Sequence, residues 1–392
     1  MTMASDASDL LEQLDRHLSS PSQAWLFGAG ISKSAGVPLM YPLTQRVLAL
    51  SVGTPHEEVL QALIGQLPST AHIEHVLSHL ADYAAISERA KTNEVLIGDS
   101  RLETSALVAA HSAVASWIAD TVRWGYEARG SETPERIGKF GESIIDVGEH
   151  LAFVEARFGS SQAGLLDRRG PIRLFSTNYD TILEDALALN AVRYWDGFSG
   201  GAIAFRNIIF GESDPPAGYR AHIIKLHGSI DWYVNSDGRI RRVRDGDAYP
   251  ARTGRVLIYP QATKYLATQR DPFAAQFELF RRTFSTATDN VVAVCGYSFG
   301  DEHINEEMAL AMSAPDNRTT MLVFYYETEN WAPCLKEWSQ SAWSKRLYVM
   351  TQKGLYVGGE GPFYKPPTGE ERDWWTFKGV TRLLKDGTGG VR

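Results

Sequence analysis

Polar residues follow four short apolar segments of the sequence, and their types suit chemistry on a phosphate-bearing ligand. The four loops are 28-GAGIS-32, 177-TNYD-180, 227-HGS-229 and 296-GYSFGD-301. Glycine turns such as the one at Gly28 let backbone N–H groups approach a phosphate closely. Asn178 can donate and accept hydrogen bonds, and His227 belongs to the residue type that exchanges protons near neutral pH. These loops are therefore the candidate site.

The apolar segments before these loops are predicted strands of one sheet. The predicted strands are 24–28, 172–176, 222–226, 256–259, 291–295 and 320–326. Segments of helical periodicity separate most of them, namely 179–190, 272–288, 301–312 and 332–342. This alternation predicts an α/β fold, a Rossmann-like parallel sheet with helices on both faces. Since ligands bind beyond the carboxyl ends of such strands, the four loops are expected to meet at one edge.

The composition and hydrophobic periodicity of the sequence divide the chain into three parts. We expect residues 1–39 and 169–350 to form the Rossmann-like domain. Residues 40–168 read as a helical insertion that acts as a lid, without a convincing strand. Residues 351–392 are rich in Gly, Pro and Trp and read as a tail that packs on the domain or on a partner.

Three local patterns refine this division. Within the insertion, long helices are predicted over 105–124 and 135–158. An antiparallel hairpin with an Asp-Gly turn is predicted over 232–243.

Composition excludes several classes of protein. The chain has 392 residues and a net charge of −8, which argues against a protein whose main role is to coat nucleic acid. Two cysteines, Cys295 and Cys334, exclude a disulfide framework and a four-cysteine zinc site. Cys295 lies in an apolar strand and is interpreted as a small buried hydrophobe. No apolar run approaches 18 residues and the N-terminus lacks a signal-peptide pattern, so we expect a cytoplasmic protein that does not bind membranes.

A run of arginines and a group of histidines each allow a purely structural interpretation as well as a functional one. The run Arg239–Arg244 contains four arginines in six residues, and a solvated hairpin strand is favoured over a contact with nucleic acid or a partner. His72, His75 and His79 share one helix face, and packing at an interface or lid is favoured over a metal site.

The ordered motifs resemble the SIR2 (sirtuin-like) family of NAD-consuming proteins. The motifs are GAGIS-x-SAG-x-P, T-N-x-D, K-L-H-G-S and GYSFGDEHIN, spread over the first strand and residues 170–325. The resemblance is greatest to the bacterial antiphage-defence branch of NAD hydrolases. It implies that NAD is the substrate and not a helper cofactor.

The resemblance also implies roles for individual residues. Asn178, Asp180 and His227 match the family's catalytic positions. The positions that would line NAD are Gly28, Ala29, Gly30, Ser32, Ser34, Thr177, Gly296, Tyr297 and Ser298.

The chemistry of these side chains agrees with the implied roles. Cleavage of the nicotinamide–ribose bond passes through an oxocarbenium-like state, as in glycoside hydrolysis. Asn178 can position water or ribose, His227 can act as the base, and Asp180 can hold the nicotinamide amide or steady positive charge. Asn178 and Asp180 can equally cap the helix near Thr181, and Asp301 can be only the cap of 301–312.

Departures from the family pattern bear on the reaction. Deacylating sirtuins carry two CxxC pairs for zinc, and this chain has none, so no zinc is expected. Where sirtuins commonly read D-F-R, this chain has Leu39-Met40-Tyr41. Both departures favour water as the acceptor, hence NAD hydrolysis. A non-catalytic NAD or ADP-ribose sensor is the alternative, and a zinc-free deacylase or ADP-ribosyltransferase is a third.

The resemblance further implies control by assembly. Unrestrained hydrolysis would kill the host, so a homo-oligomer and a HerA-type ATPase/translocase partner are expected. Contact with DNA would then come only through that partner.

Overall fold

The computed structural model describes residues 3–159, 170–207, 218–234, 239–244, 255–257 and 273–391. Within these ranges the helices are α1 (Met3–Leu18), α2 (Gly30–Lys33), α3 (Met40–Ser51), α4 (Glu57–Ile64), α5 (Ile73–Arg89), α6 (Thr104–Trp124), α7 (Gly148–Phe158), α8 (Ile182–Leu189), α9 (Phe273–Phe284), α10 (Glu302–Met312), α11 (Pro333–Trp338) and α12 (Phe377–Asp386). None of these described helices combines the length and apolar character needed to span a membrane.

The strands of the described residues belong to four sheets. They are β1 (Gln23–Phe27), β2 (Glu94–Ile97), β3 (Ser100–Glu103), β4 (Tyr126–Glu127), β5 (Arg136–Ile137), β6 (Ile172–Ser176), β7 (Tyr194–Trp195), β8 (Phe198–Gly200), β9 (Ile203–Arg206), β10 (Ala221–Lys225), β11 (Gly228–Val234), β12 (Ile240–Val243), β13 (Arg255–Leu257), β14 (Asn290–Cys295), β15 (Thr319–Phe324), β16 (Leu347–Thr351), β17 (Gly354–Val357) and β18 (Glu360–Phe363).

The main sheet has nine strands in the order β18-β17-β16-β15-β14-β1-β6-β10-β7. The pairs from β16 through β7 are parallel, and β17 and β18 pair antiparallel at one edge. Helices cover both faces, so the predicted α/β class is confirmed. The chain leaves β1 toward β6 on one side and returns to β14 on the other, which makes the end of β1 a topological switch point.

Side chains of the central strands alternate between two hydrophobic cores, one on each face of the main sheet. Ala24 and Leu26 of β1 belong to one buried cluster, while Trp25 and Phe27 belong to the other. Because successive side chains of a strand point to opposite faces, an uninterrupted apolar segment such as residues 24–27 of β1 is required where both faces are covered.

Helices α3 to α6 surround a third buried cluster. That cluster also takes in Tyr179, Ile182 and Ile230 from the main part of the chain, next to two of the polar loops. The helical segment is thus packed directly under the candidate site. The domain boundaries themselves stay a prediction.

The expectation of a strand-free insertion was wrong. Strands β2 and β3 form a hairpin in this segment, and β4 pairs with β5. The hairpin turn uses Gly98 at φ +58° next to Asp99, a two-residue signal of the type that hairpins favour.

The predicted helix over 135–158 was also wrong in its first half. Residues 136–137 form β5, and the helix begins only at Gly148. The intervening chain doubles back on α6, where Gly138 N donates to Gly125 O at 2.9 Å and Ile144 N to Trp124 O at 2.9 Å. A Cβ atom at Gly138 would collide with the Trp124 carbonyl oxygen, so this close approach depends on glycine.

A second sheet has five strands within the described ranges, in the order β13-β11-β12-β9-β8. The antiparallel pairing of the predicted hairpin over 232–243 is confirmed, with Trp232 opposite Arg242, while its predicted Asp-Gly turn lies outside the described residues. The assignment of 256–259 to the parallel sheet was wrong, because Arg255–Leu257 pairs antiparallel with β11. A short apolar segment of this kind can pair either in the parallel main sheet or antiparallel to a strand of the hairpin. Its sequence alone does not distinguish these two pairings.

The C-terminal segment completes the main sheet and one of its cores. Strands β16 to β18 form the sheet edge, and α12 packs on α7. Trp374 is buried, and its indole N–H donates to Thr351 O.

Candidate functional site

The four polar loops follow four strands that are neighbours in the main sheet, β14, β1, β6 and β10. Backbone hydrogen bonds join the strand ends in sequence across the sheet: Gly28 N to Cys295 O (3.1 Å), Thr177 N to Phe27 O (3.0 Å) and Leu226 N to Ser176 O (2.9 Å). The sheet therefore brings together loops that lie more than 250 residues apart in the sequence at their extremes (from 28 to 296).

The glycines of the first and last loops pack backbone against backbone. Gly30 N donates to Gly296 O at 2.8 Å, and Gly296 has φ +67°. A Cβ atom at Gly28 would lie 2.6 Å from both Gly296 O and Tyr297 Cα. These glycines are thus needed for the contact between the loops, while Ala29 and Gly30 keep an exposed surface.

Gly36, which follows the first loop, contacts the helical segment. Gly36 has φ +86°, and its carbonyl accepts a hydrogen bond from Tyr126 N at 2.9 Å. Ser34 lies near it and is exposed, and its hydroxyl donates to Glu149 Oε2 at 2.6 Å. Helix α7 therefore borders the glycine turn, a neighbour that sequence reasoning missed.

Asn178 is the most constrained polar side chain of the site. It is 7% exposed, and its Nδ2 donates to Ser32 Oγ at 3.1 Å. Its backbone N donates to Ser176 Oγ at 3.0 Å. Its Oδ1 is buried without a hydrogen-bond partner. Because the bond to Ser32 assigns the amide orientation, a hydrogen-bond acceptor is left over at the centre of the site.

Asp180 takes part in local structure as well. Its Oδ1 accepts from Ile182 N at 3.1 Å at the start of α8, and its backbone oxygen accepts from Lys225 Nζ. Asp180 therefore satisfies one backbone donor at the start of α8, although Thr181 occupies the N-cap position, and Asn178 makes no such hydrogen bond.

His227 is buried and faces the loop after β14. It is 4% exposed, and its Nε2 lies 3.9 Å from Asp301 Oδ2. The His303 and Tyr179 rings lie nearby, with centroids at 5.8 Å and 6.4 Å from the His227 ring. Asp301 occupies the N-cap position of α10, but its side chain makes no capping hydrogen bond.

The loop after β14 presents one face to solvent and buries the other. The Tyr297 hydroxyl donates toward Asp301 O (3.2 Å) and Asn305 Oδ1 (3.1 Å), and burial raises the pKa of the phenol well above its usual value. Ser298 is exposed. Any ligand contact from Tyr297 therefore comes from its backbone, whereas Ser298 is free to offer its side chain.

A cluster of charged side chains, buried at Lys225, Glu184 and Asp231 and partly exposed at Arg244 and Asp185, lies behind Asp180. Lys225 Nζ is 3.6 Å from Glu184 Oε1, and both side chains are almost fully buried. Arg244 Nη1 lies 3.1 Å from Asp185 Oδ1, and its Nε lies 3.4 Å from Asp231 Oδ2. Burial raises the pKa of Glu184, against the opposing effect of Lys225. The sequence signals for this cluster were a lysine at the end of an apolar strand and the basic run that ends at Arg244.

The basic run is therefore partly internal. Arg242 pairs with Asp196 and stacks its guanidinium 5.6 Å from the Phe198 ring centroid. Together with the pairing of Arg244, this ties the end of the run to the protein itself.

The histidines of the helical segment cap and flank α5. His72 and His75 cap it reciprocally, with ring centroids 3.9 Å apart, and His79 packs edge-on to Tyr83 at 5.3 Å. Among the described residues, no group of three His, Cys, Asp or Glu side chains is arranged to hold a metal ion. Next to these histidines, Glu74 accepts a hydrogen bond from the Tyr179 hydroxyl at 2.8 Å, which links α5 to the Asn178 loop.

Comparison with known families bears on the part of the chain that carries most of this site. Residues 173–345 match the model of a SIR2-like domain. This segment is therefore similar to SIR2-like domains. It contains the loops of Asn178, His227 and Asp301, so the predicted resemblance to the SIR2 family is confirmed over these loops, while the glycine turn lies outside the match. No curated protein matches the chain.

A search of solved structures found a Sir2 homolog in complex with NAD. That structure is 14% identical in sequence, with a TM-score of 0.32, and the alignment covers 80% of this chain and 83% of the other. No residue of this chain takes a role from that likeness.

Proposed function

We propose that this protein is an NAD hydrolase, a glycohydrolase that cleaves the nicotinamide–ribose bond to nicotinamide and ADP-ribose. The observation that carries the proposal is the buried, unpartnered Oδ1 of Asn178, held in place through Ser32 at the switch point of the sheet. An unsatisfied buried acceptor is costly to folding, so its presence in a site favours a ligand or a water as the missing donor.

The proposed reaction assigns complementary roles to two loops. As the bond breaks, its electron pair leaves with the nicotinamide nitrogen, and positive charge develops on the ribose. Asn178 Oδ1 accepts a hydrogen bond from the attacking water or from a ribose hydroxyl. His227 takes the proton that this water gives up as its oxygen bonds to the ribose carbon.

Asp180 supplies negative charge beside the developing cation. Its carboxylate is buried, and one oxygen is already held by Ile182 N, which keeps it in a single orientation. A fixed charge of this kind stabilises a transition state without reorganisation. The buried Lys225 does not cancel this effect, because Glu184 lies beside it.

Exposure and position at the same edge support the proposed ligand-lining residues. Ala29, Gly30, Ser34 and Ser298 keep exposed atoms there. We propose that these positions contact the phosphates and riboses of NAD, together with the backbones of Gly28, Thr177, Gly296 and Tyr297. Ser32 acts mainly on Asn178.

We further propose that the protein depletes NAD in the cytoplasm during bacterial antiphage defence, as a homo-oligomer gated by a HerA-type translocase partner. The net charge of −8 and the internal pairing of Arg242 and Arg244 support assigning the DNA contact to that partner. No zinc is needed for the proposed reaction.

Nicotinamide release from the purified protein tests the proposed reaction. The protein is incubated with NAD, and in parallel with NADP, alone and with phage DNA and a HerA-type partner. Asn178→Ala and His227→Ala are expected to abolish release, while Ser112→Ala, on the exposed side of α6, is expected to retain it. The proposal fails if the wild-type protein releases no nicotinamide under any of these conditions.

The same assay separates the alternatives. Release that requires an acylated peptide would indicate a deacylase. Tight NAD binding without release, measured by calorimetry, would indicate a sensor.

A further inference from the structure

Asp301 was ambiguous in the sequence, where an aspartate before a helix is typical of an N-cap. In the structure it does occupy that position, and its backbone oxygen accepts from Ile304 N at 3.1 Å and Asn305 N at 3.0 Å. Its side chain, however, makes no capping hydrogen bond. The carboxylate is only 20% exposed and turns instead toward His227.

We propose that Asp301 is a positioning residue for His227: its carboxylate orients the imidazole and stabilises the protonated form that arises during the reaction. The inference rests on the proposed hydrolysis, in which His227 is the base. The distance of 3.9 Å between His227 Nε2 and Asp301 Oδ2 suits an ion pair once the imidazole is protonated.

The surroundings of His227 favour this assignment. Among the described residues, the neighbours of the imidazole include Asp301 and His303 from the start of α10, and Tyr179 from the loop after β6. Of these, only Asp301 carries a negative charge at neutral pH. Both side chains of the pair are largely removed from water, so the attraction is screened less than on a surface.

The two loops that hold the pair are fixed independently. His227 follows β10, whose end is bound to β6 through Leu226 N and Ser176 O. Asp301 lies after β14, in a loop locked by the Tyr297 hydroxyl and by Asn305 Nδ2, which donates to Phe299 O at 2.8 Å. A carboxylate held by a rigid loop restricts the imidazole to one orientation, which is the role of the third member in Ser-His-Asp triads.

Asp301→Asn tests the pair, because asparagine has nearly the shape of aspartate but no charge, and the side chain makes no capping hydrogen bond that would be lost. The first measurement is the titration of His227 by NMR in the full chain labelled at its histidines. His227→Gln and His303→Gln assign the two neighbouring resonances. We expect the midpoint of His227 to move to lower pH by about one unit in Asp301→Asn, because the charge that favours imidazolium is gone. An unchanged midpoint overturns the proposal.

The second measurement is the pH profile of nicotinamide release. In Asp301→Asn, kcat is expected to fall roughly 10-fold to 100-fold, KM for NAD to change little, and the acid limb to move to lower pH. Equal kcat and an unmoved acid limb contradict the proposal. If Asp301→Asn does not fold, Asp301→Ser replaces it, since serine is an equally good cap. If the wild-type protein releases no nicotinamide, the proposed hydrolysis fails, and the NMR titration still decides on the pair.

Discussion

Asn178 Nδ2 donates to Ser32 Oγ across 3.1 Å, and this bond joins two loops separated by 146 positions in the sequence. Ser32 is 1% exposed, so its hydroxyl is not available to a ligand in the arrangement described. The bond leaves Asn178 with one orientation and one unsatisfied acceptor.

Ser32→Ala is therefore expected to lower nicotinamide release without abolishing it. Loss of one orienting hydrogen bond, worth about 1 kcal/mol, corresponds to a decrease in kcat of roughly 5-fold to 10-fold. Steady-state kinetics measure the effect, and Ser112→Ala is the matched control. If Ser32→Ala raised KM alone, with kcat unchanged, Ser32 would contact NAD directly instead.

Gly28→Ala is expected to destabilise the whole fold. A methyl group there would lie 2.6 Å from Gly296 O and Tyr297 Cα, both backbone atoms that cannot rotate away. We expect the free energy of unfolding to fall by about 3 kcal/mol or more, measured by urea denaturation. Gly201→Ala is the control, since a Cβ atom at Gly201 meets nothing within 4 Å. Similar losses in both variants would contradict this reason for Gly28.

His150 is expected to make the protein less stable in mild acid. It is fully buried on α7, neither ring nitrogen has a hydrogen-bond partner, and burial lowers its pKa despite the nearby carboxylates of Asp180, Glu149 and Asp146. Below about pH 6.5 the unfolded chain binds a proton that the folded chain does not, so stability decreases as pH falls.

His150→Phe tests this reasoning, because Phe377 already packs against the ring at 5.0 Å. We expect equal or greater stability at pH 7 and a flatter loss between pH 6.5 and 5, by thermal unfolding across pH. Burial lowers the pKa of His17 and His111 as well, so part of the slope remains. An unchanged slope would show that His150 is not responsible.

Lys225→Met is expected to destabilise the protein by about 3–5 kcal/mol, because it leaves the buried Glu184 carboxylate without its cation. The double variant Lys225→Met with Glu184→Leu is expected to recover much of that loss, since no buried charge is left unpaired at this contact. Urea denaturation of the single and double variants measures the coupling. Strictly additive losses would contradict it.

Much of the fold was predictable because its signals are local. The apolar segments of β1, β6, β10 and β14 each carry their own strand signal, and each is followed by loop residues. The hairpin from β11 to β12 was marked by its turn. The helical pattern of 135–158 was misleading where the chain packs closely against another element through a glycine. Gly138, which lies against the end of α6, is the example.

The sequence by itself determined which loops carry the polar groups and that a parallel sheet would bring them to one edge, since strand alternation and loop composition depend on neighbouring residues. Only the tertiary structure decided where each side chain points. The pairing of β1 with β6 brings the Ser32 hydroxyl within hydrogen-bond distance of Asn178. The loop after β14 directs the Asp301 side chain toward His227, while Asp301 keeps the N-cap position. Such contacts depend on distances between elements far apart in sequence, for which no local pattern exists.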